Sequence, residues 1–138
     1  MGTGHIHQGR YKSFPVQADG HFLTVCRYVE RNAMRAGLVE QAEDWPWCSL
    51  WRRRQSAEQS ALLLPADRWP VVPPRNWVTA VNRAQTGAEL EAPRRSVVRG
   101  RPFGGLTWTG RMVRRLGLEN TLRPRGRPRK PAKKRPTD

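Results

Sequence analysis

Positive charge is concentrated in the last third of this 138-residue chain, and this limits the part that can form a core. Residues 94–138 carry 15 basic and 2 acidic side chains, a net charge of +13, whereas residues 1–93 carry 11 basic and 9 acidic ones. A segment with so high a charge repels itself and does not fold on hydrophobicity alone. Because only 37% of all residues are hydrophobic, we expect one small core and a basic tail.

The same charge indicates a class of partner. Most of the basic residues are Arg, whose planar guanidinium contacts phosphate oxygens in pairs, and a row of them releases the counterions of a nucleic acid. We interpret the C-terminal third as a DNA-binding region. The alternative is a solvated tail that only keeps the protein soluble.

Other function classes lack their sequence signals. The chain has no run of about 18 apolar residues and no apolar stretch near its N-terminus, so we expect no membrane partner, no export and a cytoplasmic, nucleoid-associated location. Its two cysteines, Cys26 and Cys48, have no CxxC spacing, which argues against a zinc finger and against a disulfide framework.

The clearest local pattern predicts a helix over residues 19–37. Asp19 suits its N-cap, and Gly37 suits a left-handed C-terminal position. At about 100° per residue, two faces result. The apolar face, which we expect to pack on the core, carries Phe22, Cys26, Val29, Ala33 and Ala36. The polar face carries His21, Thr24, Tyr28, Arg31, Asn32 and Arg35, and is either an ordinary solvated surface or a functional strip.

The remaining segments are interpreted in chain order. Residues 44–50 predict a small apolar cluster of Trp45, Trp47 and Leu50 that folds back on the helix. Residues 52–75 predict a linker or variable loop. Residues 76–121 predict a small basic module: one or two short helices broken near Gly87 and Pro93, then a helix over residues 107–116. Its exposed cations are Arg111, Arg114 and Arg115.

Residues 122–138 predict a disordered tail. Within it, Arg125-Gly126-Arg127-Pro128 is similar to an AT-hook, a segment that places Arg side chains in the minor groove of A·T-rich DNA. The other interpretation is unspecific phosphate binding, in which Arg129 and Lys130 also take part.

Four segments together carry a family resemblance. They are GHIHQGRYKSFPVQ, LTVCRYVERNAMRAGLVEQAEDWPWCSL, RGRPFG and LGLENTLRPRGRPRK. The chain resembles the C-terminal portion of the REP-associated tyrosine transposases, bacterial relatives of the IS200/IS605-type transposases. The resemblance covers nearly the whole chain and is loosest over residues 45–95.

The resemblance implies a reaction and residues for it. In that family a helix-borne Tyr attacks a phosphodiester of single-stranded or hairpin DNA and forms a 5′-phosphotyrosine link. Tyr28 matches this nucleophile, and Asn32, one turn later, matches a ligand of the family's Mg²⁺ or Mn²⁺ ion. The segment similar to QGR(F/Y)K, together with two helix arginines, is expected near DNA: Gln8, Arg10, Lys12, Arg31 and Arg35.

The resemblance also sets an expectation for the fold. Residues 1–51 match only the end of an α+β transposase domain, so we expect a truncated remnant that is mostly α-helical with irregular segments and lacks most of the sheet. The family's metal-binding His pair lies on that sheet. His5 and His7 are similar to the pair but stand where the family has a loop, so we interpret them as incidental.

These expectations combine into a functional hypothesis. We expect a transposase-like DNA-binding protein that is inactive alone, binds no metal by itself, and associates with another chain if its helix exposes an apolar side. The alternative is a non-enzymatic DNA-binding protein that acts through its basic C-terminal region. A third possibility is a non-functional gene remnant.

Overall fold

The computed structural model describes residues 12–123 and Gly126, and in this part of the chain the fold is mostly helical. The helices are α1 (Gly20–Glu30), α2 (Asn32–Arg35), α3 (Ser49–Arg53), α4 (Ala57–Ser60), α5 (Trp77–Asn82), α6 (Gly87–Arg99) and α7 (Leu106–Leu116). Single 3-10 turns lie at Ala42–Asp44, Ala66–Arg68 and Glu119–Thr121. The prediction of a mostly α-helical chain is confirmed, and these residues contain no β-strand.

The predicted helix over residues 19–37 has the expected ends but is divided in two. The Asp19 carboxylate accepts a hydrogen bond from the His21 N–H at 2.8 Å, and Gly37 has a φ of +68°. Between them, Arg31 departs from helical geometry with a ψ of 3° and separates α1 from α2. The prediction of one continuous helix is therefore wrong at Arg31. There the Arg31 guanidinium donates to a carbonyl oxygen of α5.

The turn changes which side chains face the core. Val29 and Ala36, expected inside, are exposed, whereas Ala33 is buried as expected. Glu30, which was not expected inside, is buried as well. The Glu30 carboxylate accepts hydrogen bonds from Ser49 Oγ at 2.7 Å and from Trp77 Nε1 at 2.8 Å. Because both carboxylate oxygens have hydrogen-bond donors, Glu30 can be buried. It takes a position facing the core that the apolar pattern assigned to hydrophobic side chains.

The core joins residues from both sides of the segment 52–75. Ala42, Leu50 and Val81 are buried together, and Met34, Cys48 and Trp77 pack against them. The segment itself contributes Trp69, whose ring meets Phe22 and Trp77 edge to face at 5.8 and 6.2 Å. The predicted apolar cluster is correct for Leu50 and wrong for Trp47, which is 80% exposed. The division into domains stays a prediction.

Helix α6 begins with a capping box and continues through a proline. Thr86 and Glu89 exchange side-chain to backbone hydrogen bonds at its N-terminus, and Gly100 ends it with a φ of +65°. The predicted break at Pro93 is wrong. Pro93 cannot donate to the Glu89 carbonyl and its ring crowds that group, but the helix continues through it to Arg99 with the ring fully buried.

The segment before α1 is attached to the start of α7. The Gln17 N–H donates to Phe103 O at 2.9 Å, and the Phe103 N–H donates to Pro15 O at 2.8 Å. The Gln17 side chain also accepts from the Gly105 N–H at 2.9 Å. These contacts join the segment before α1 to the connection between α6 and α7.

Candidate functional site

Tyr28 lies in the last turn of α1, half-buried in a groove of about 550 Å³. Helix α6 forms the facing wall. The residues that line the groove with Tyr28 are Glu91, Arg94, Arg95, Val97, Val98 and Arg99. The predicted nucleophile is thus placed beside a basic helix that lies more than sixty residues away in the sequence.

Arg35 connects three residues of the predicted polar strip. Its guanidinium carbon lies 4.1 Å from the centroid of the Tyr28 ring, a cation–π contact. One guanidinium nitrogen donates to the Tyr28 carbonyl oxygen at 2.7 Å and the other to Asn32 Oδ1 at 3.1 Å. Burial lowers the pKa of Arg35, against the raising influence of Tyr28. Arg35 therefore orients the Tyr28 ring by contacting its face and the Tyr28 backbone.

Arg94 lies on the opposite wall. The Tyr28 hydroxyl is the main cause of the raised pKa of Arg94, followed by Glu91, which accepts a hydrogen bond from the Arg94 guanidinium at 3.2 Å. Arg94 and Arg95 both line the groove with Tyr28. These two guanidinium groups make the groove a suitable place for one phosphate group.

Arg31, another member of the predicted strip, makes different contacts. Its guanidinium donates to Val81 O at 2.5 Å and to Arg83 O at 2.7 Å, at the C-terminal end of α5. Arg27 adds hydrogen bonds to Arg83 O at 2.6 Å and to Glu89 Oε1 at 3.2 Å. Burial, and then Arg27 and Arg35, lower the pKa of Arg31. These arginines hold α1 to α5 and α6, and DNA contact by Arg31 stays a prediction.

The surroundings of Tyr28 do not fit a divalent metal. Asn32 is exposed at the predicted place, but its Oδ1 already accepts from Arg35. Mg²⁺ and Mn²⁺ prefer carboxylate and carbonyl oxygens, and guanidinium groups repel them. Within residues 12–123 and Gly126, no three His, Cys, Asp or Glu side chains lie close enough together to hold a metal ion. Three arginines and one carboxylate line the Tyr28 groove, and this charge suits a phosphate.

The other predicted site residues lie apart from this groove or outside the described chain. Lys12 is exposed before the first helix, and α7 exposes Arg111, Arg114 and Arg115. Outside the described residues are His5, His7, Gln8, Arg10, Arg125, Arg127, Arg129 and Lys130. Their predicted roles stay predictions.

Sequence reasoning missed the arginines of α6. Arg94, Arg95 and Arg99 line the Tyr28 groove, although the side chains expected at DNA were others, before and within the first helix, in α7 and in the basic tail. A usable signal was present. Arg95 and Arg99 stand four residues apart on one helix face, and Arg94 is the first cation of the +13 segment.

A second groove, of about 430 Å³, is formed by α1, α2 and the turn before α3. Its apolar rim is open: Val29 is 62% exposed, Leu38 61% and Trp47 80%. Association with another chain at this side stays a prediction.

Comparisons of the chain with protein-family models, with curated proteins and with solved structures gave no match. Among the helices described above, none is both long and apolar enough to cross a bilayer. Function is therefore inferred from the Tyr28 groove and from the motifs of the sequence.

Proposed function

We propose that this chain is a transposase-like DNA-binding protein that holds a phosphodiester of single-stranded or hairpin DNA against Tyr28. One observation carries the proposal: Tyr28 shares its groove with Arg94 and Arg95 of α6, and the Arg35 guanidinium carbon lies 4.1 Å from the centroid of the Tyr28 ring. By resemblance, the full reaction of the family is strand cleavage and joining through a 5′-phosphotyrosine intermediate during DNA transposition.

The groove supplies phosphate binding by itself. Arg94 and Arg95 present planar donors that pair with phosphate oxygens, and Arg35 keeps the ring in place. Cleavage of the DNA strand needs further groups. A phenol is a weak nucleophile, and the phosphate must be polarised while charge develops on it. Since the described residues contain no group of three His, Cys, Asp or Glu side chains that could hold a metal ion, we propose that the chain alone binds DNA without cutting it.

The test compares the purified chain with Tyr28→Phe on a labelled DNA hairpin with single-stranded flanks, with Mn²⁺ present. Native gels across a salt series measure binding, and denaturing gels detect a covalent adduct. We expect both proteins to shift the DNA, with a shift that weakens steeply as salt rises, and neither to form an adduct. A Tyr28-dependent adduct would show that the chain cleaves DNA alone. The lack of any shift would contradict the proposal that DNA is its partner.

A non-enzymatic DNA-binding protein acting through the basic C-terminal region is the second candidate. It is supported by α7, which buries Thr109 and Val113 on one side and exposes Arg114 and Arg115 on another. Two double variants that each remove two positive charges distinguish the two candidate functions. Arg94→Gln with Arg95→Gln weakens binding more if DNA lies in the Tyr28 groove, whereas Arg114→Gln with Arg115→Gln weakens it more if α7 is the main contact.

A further inference from the structure

Three hollows border α6. The first is the Tyr28 groove. The second, of about 140 Å³, lies between α6 and the start of α7, and the third, of about 300 Å³, lies against residues 121–123. Arg95 lines all three, and Arg101 lines the second and third. The hollows are therefore joined by shared arginines.

Two charges of this row are available for a ligand, whereas Arg94 in the Tyr28 groove forms an ion pair with Glu91 at 3.2 Å. Neither Arg95 nor Arg101 has an ion-pair partner within the described part of the chain. Arg99 is engaged differently, because its guanidinium donates to the carbonyl oxygens of Asn120, Thr121 and Arg123. Arg99 thus holds the end of the described chain against α6 and builds the wall of the third hollow.

Apolar side chains alternate with the arginines. Val98 is 50% exposed in the Tyr28 groove, Leu122 is 43% exposed in the third hollow, and Phe103 lines the second. Unpaired bases stack on or pack against such surfaces while the backbone follows the cations. A duplex keeps the faces of its bases stacked inside, so this alternation favours a single strand.

We propose that α6 is a track for the backbone of a single-stranded nucleic acid, which runs from the Tyr28 groove past Arg95 and Arg101 to Arg123. The proposal extends the proposed function, because the phosphodiester at Tyr28 is one point on this track. It assigns binding to Arg101, which does not line the Tyr28 groove.

The test uses Arg101→Gln and Arg94→Gln, since each lines a different end of the track. Arg75→Gln is the matched control, because Arg75 is exposed and lines none of the three hollows. Binding of oligothymidylates of about three and about twelve nucleotides, within the usual range of single-strand sites, is measured by fluorescence anisotropy across a salt series. A duplex of the longer length and circular dichroism of each variant complete the set.

We expect Arg101→Gln to weaken binding of the longer strand several-fold, to reduce its salt slope by about 0.7, and to leave the short strand unaffected. Arg94→Gln weakens both strands. If Arg94→Gln weakens binding and Arg101→Gln does not, the track is wrong and the Tyr28 groove remains. If neither variant differs from Arg75→Gln, both proposals are wrong. Equal sensitivity of the duplex to Arg101→Gln would overturn the choice of a single strand.

Discussion

Arg35 holds Tyr28 at two points, with its guanidinium 4.1 Å from the ring centroid and a hydrogen bond of 2.7 Å to the Tyr28 carbonyl oxygen. The two residues lie seven positions apart, on either side of the turn at Arg31. Arg35 therefore closes the α1–α2 junction and orients the phenol with the same group. Stability and the geometry of the candidate site are coupled at this contact.

Removal of the Arg35 charge should destabilise the protein. Arg35→Met keeps most of the aliphatic stem but loses the cation–π contact and the hydrogen bonds, and we expect the free energy of unfolding to fall by about 1–2 kcal/mol. Urea unfolding measures this, with the exposed Arg75→Met as control. Tyr28→Phe keeps the ring face and should be as stable as the wild type. Equal stability of Arg35→Met and Arg75→Met would contradict the role of this contact.

The buried carboxyl of Glu30 predicts a pH-dependent loss of stability. Burial raises the pKa of Glu30 above its ordinary value of 4.5, despite the lowering influence of Ser49, Trp77 and Arg53. Between 4.5 and the raised pKa, the folded protein binds more protons than the unfolded chain does. Stability from this group is therefore lost as the pH rises through that window, and it stays constant above the window.

Glu30→Gln tests this directly. A glutamine can still accept from Trp77 Nε1 and can donate to Ser49 Oγ, so the packing is retained. We expect the stability of Glu30→Gln relative to the wild type to increase as the pH rises from about 4.5. Urea unfolding at a series of pH values measures the difference, with Glu58→Gln on the exposed surface of α4 as control. A difference that does not change with pH would contradict the prediction.

The sequence predicts those parts of the fold that depend on neighbours along the chain. Asp19 and Gly37 were assigned to the ends of the first helix because a cap needs only the adjacent turn. The burial of Glu30 depends on donors 19 and 47 residues away, and the break at Arg31 coincides with contacts to carbonyl oxygens 50 and 52 residues away. No local pattern contains this information.

In the candidate site, too, local sequence patterns predict one part and not the other. Tyr28, Asn32 and Arg35 were placed on one strip by helical spacing, and two hydrogen bonds and a cation–π contact join them in the structure. The facing wall was missed, because Arg94 and Arg95 reach Tyr28 only through the packing of α6 on α1. The function of both walls stays a prediction.

The capping box of α6 should contribute measurably to stability. Thr86 Oγ1 accepts from the Glu89 N–H at 3.2 Å, and Glu89 accepts from the Thr86 N–H at 2.8 Å. We expect Thr86→Ala to reduce the free energy of unfolding by about 1 kcal/mol. Ser56→Ala, which removes a longer cap bond of 3.4 Å from the four-residue α4, is the control with the smaller expected effect. A larger loss for Ser56→Ala would contradict this ranking.

The two glycines at Gly104 and Gly110 should respond in opposite directions to alanine. A Cβ at Gly104 would lie 2.4 Å from Trp108 Cε3 and 2.7 Å from Gln17 Oε1, so Gly104→Ala must displace the contact between the N-terminal segment and α7. We expect a loss of about 1–3 kcal/mol in the free energy of unfolding. Gly110 lies inside α7 with nothing within 4 Å of its Cβ position, so Gly110→Ala should gain about 0.5–1 kcal/mol. Urea unfolding of both variants measures these changes. A gain for Gly104→Ala would show that the close packing at Gly104 does not stabilise the fold, and a loss for Gly110→Ala would contradict the prediction for Gly110.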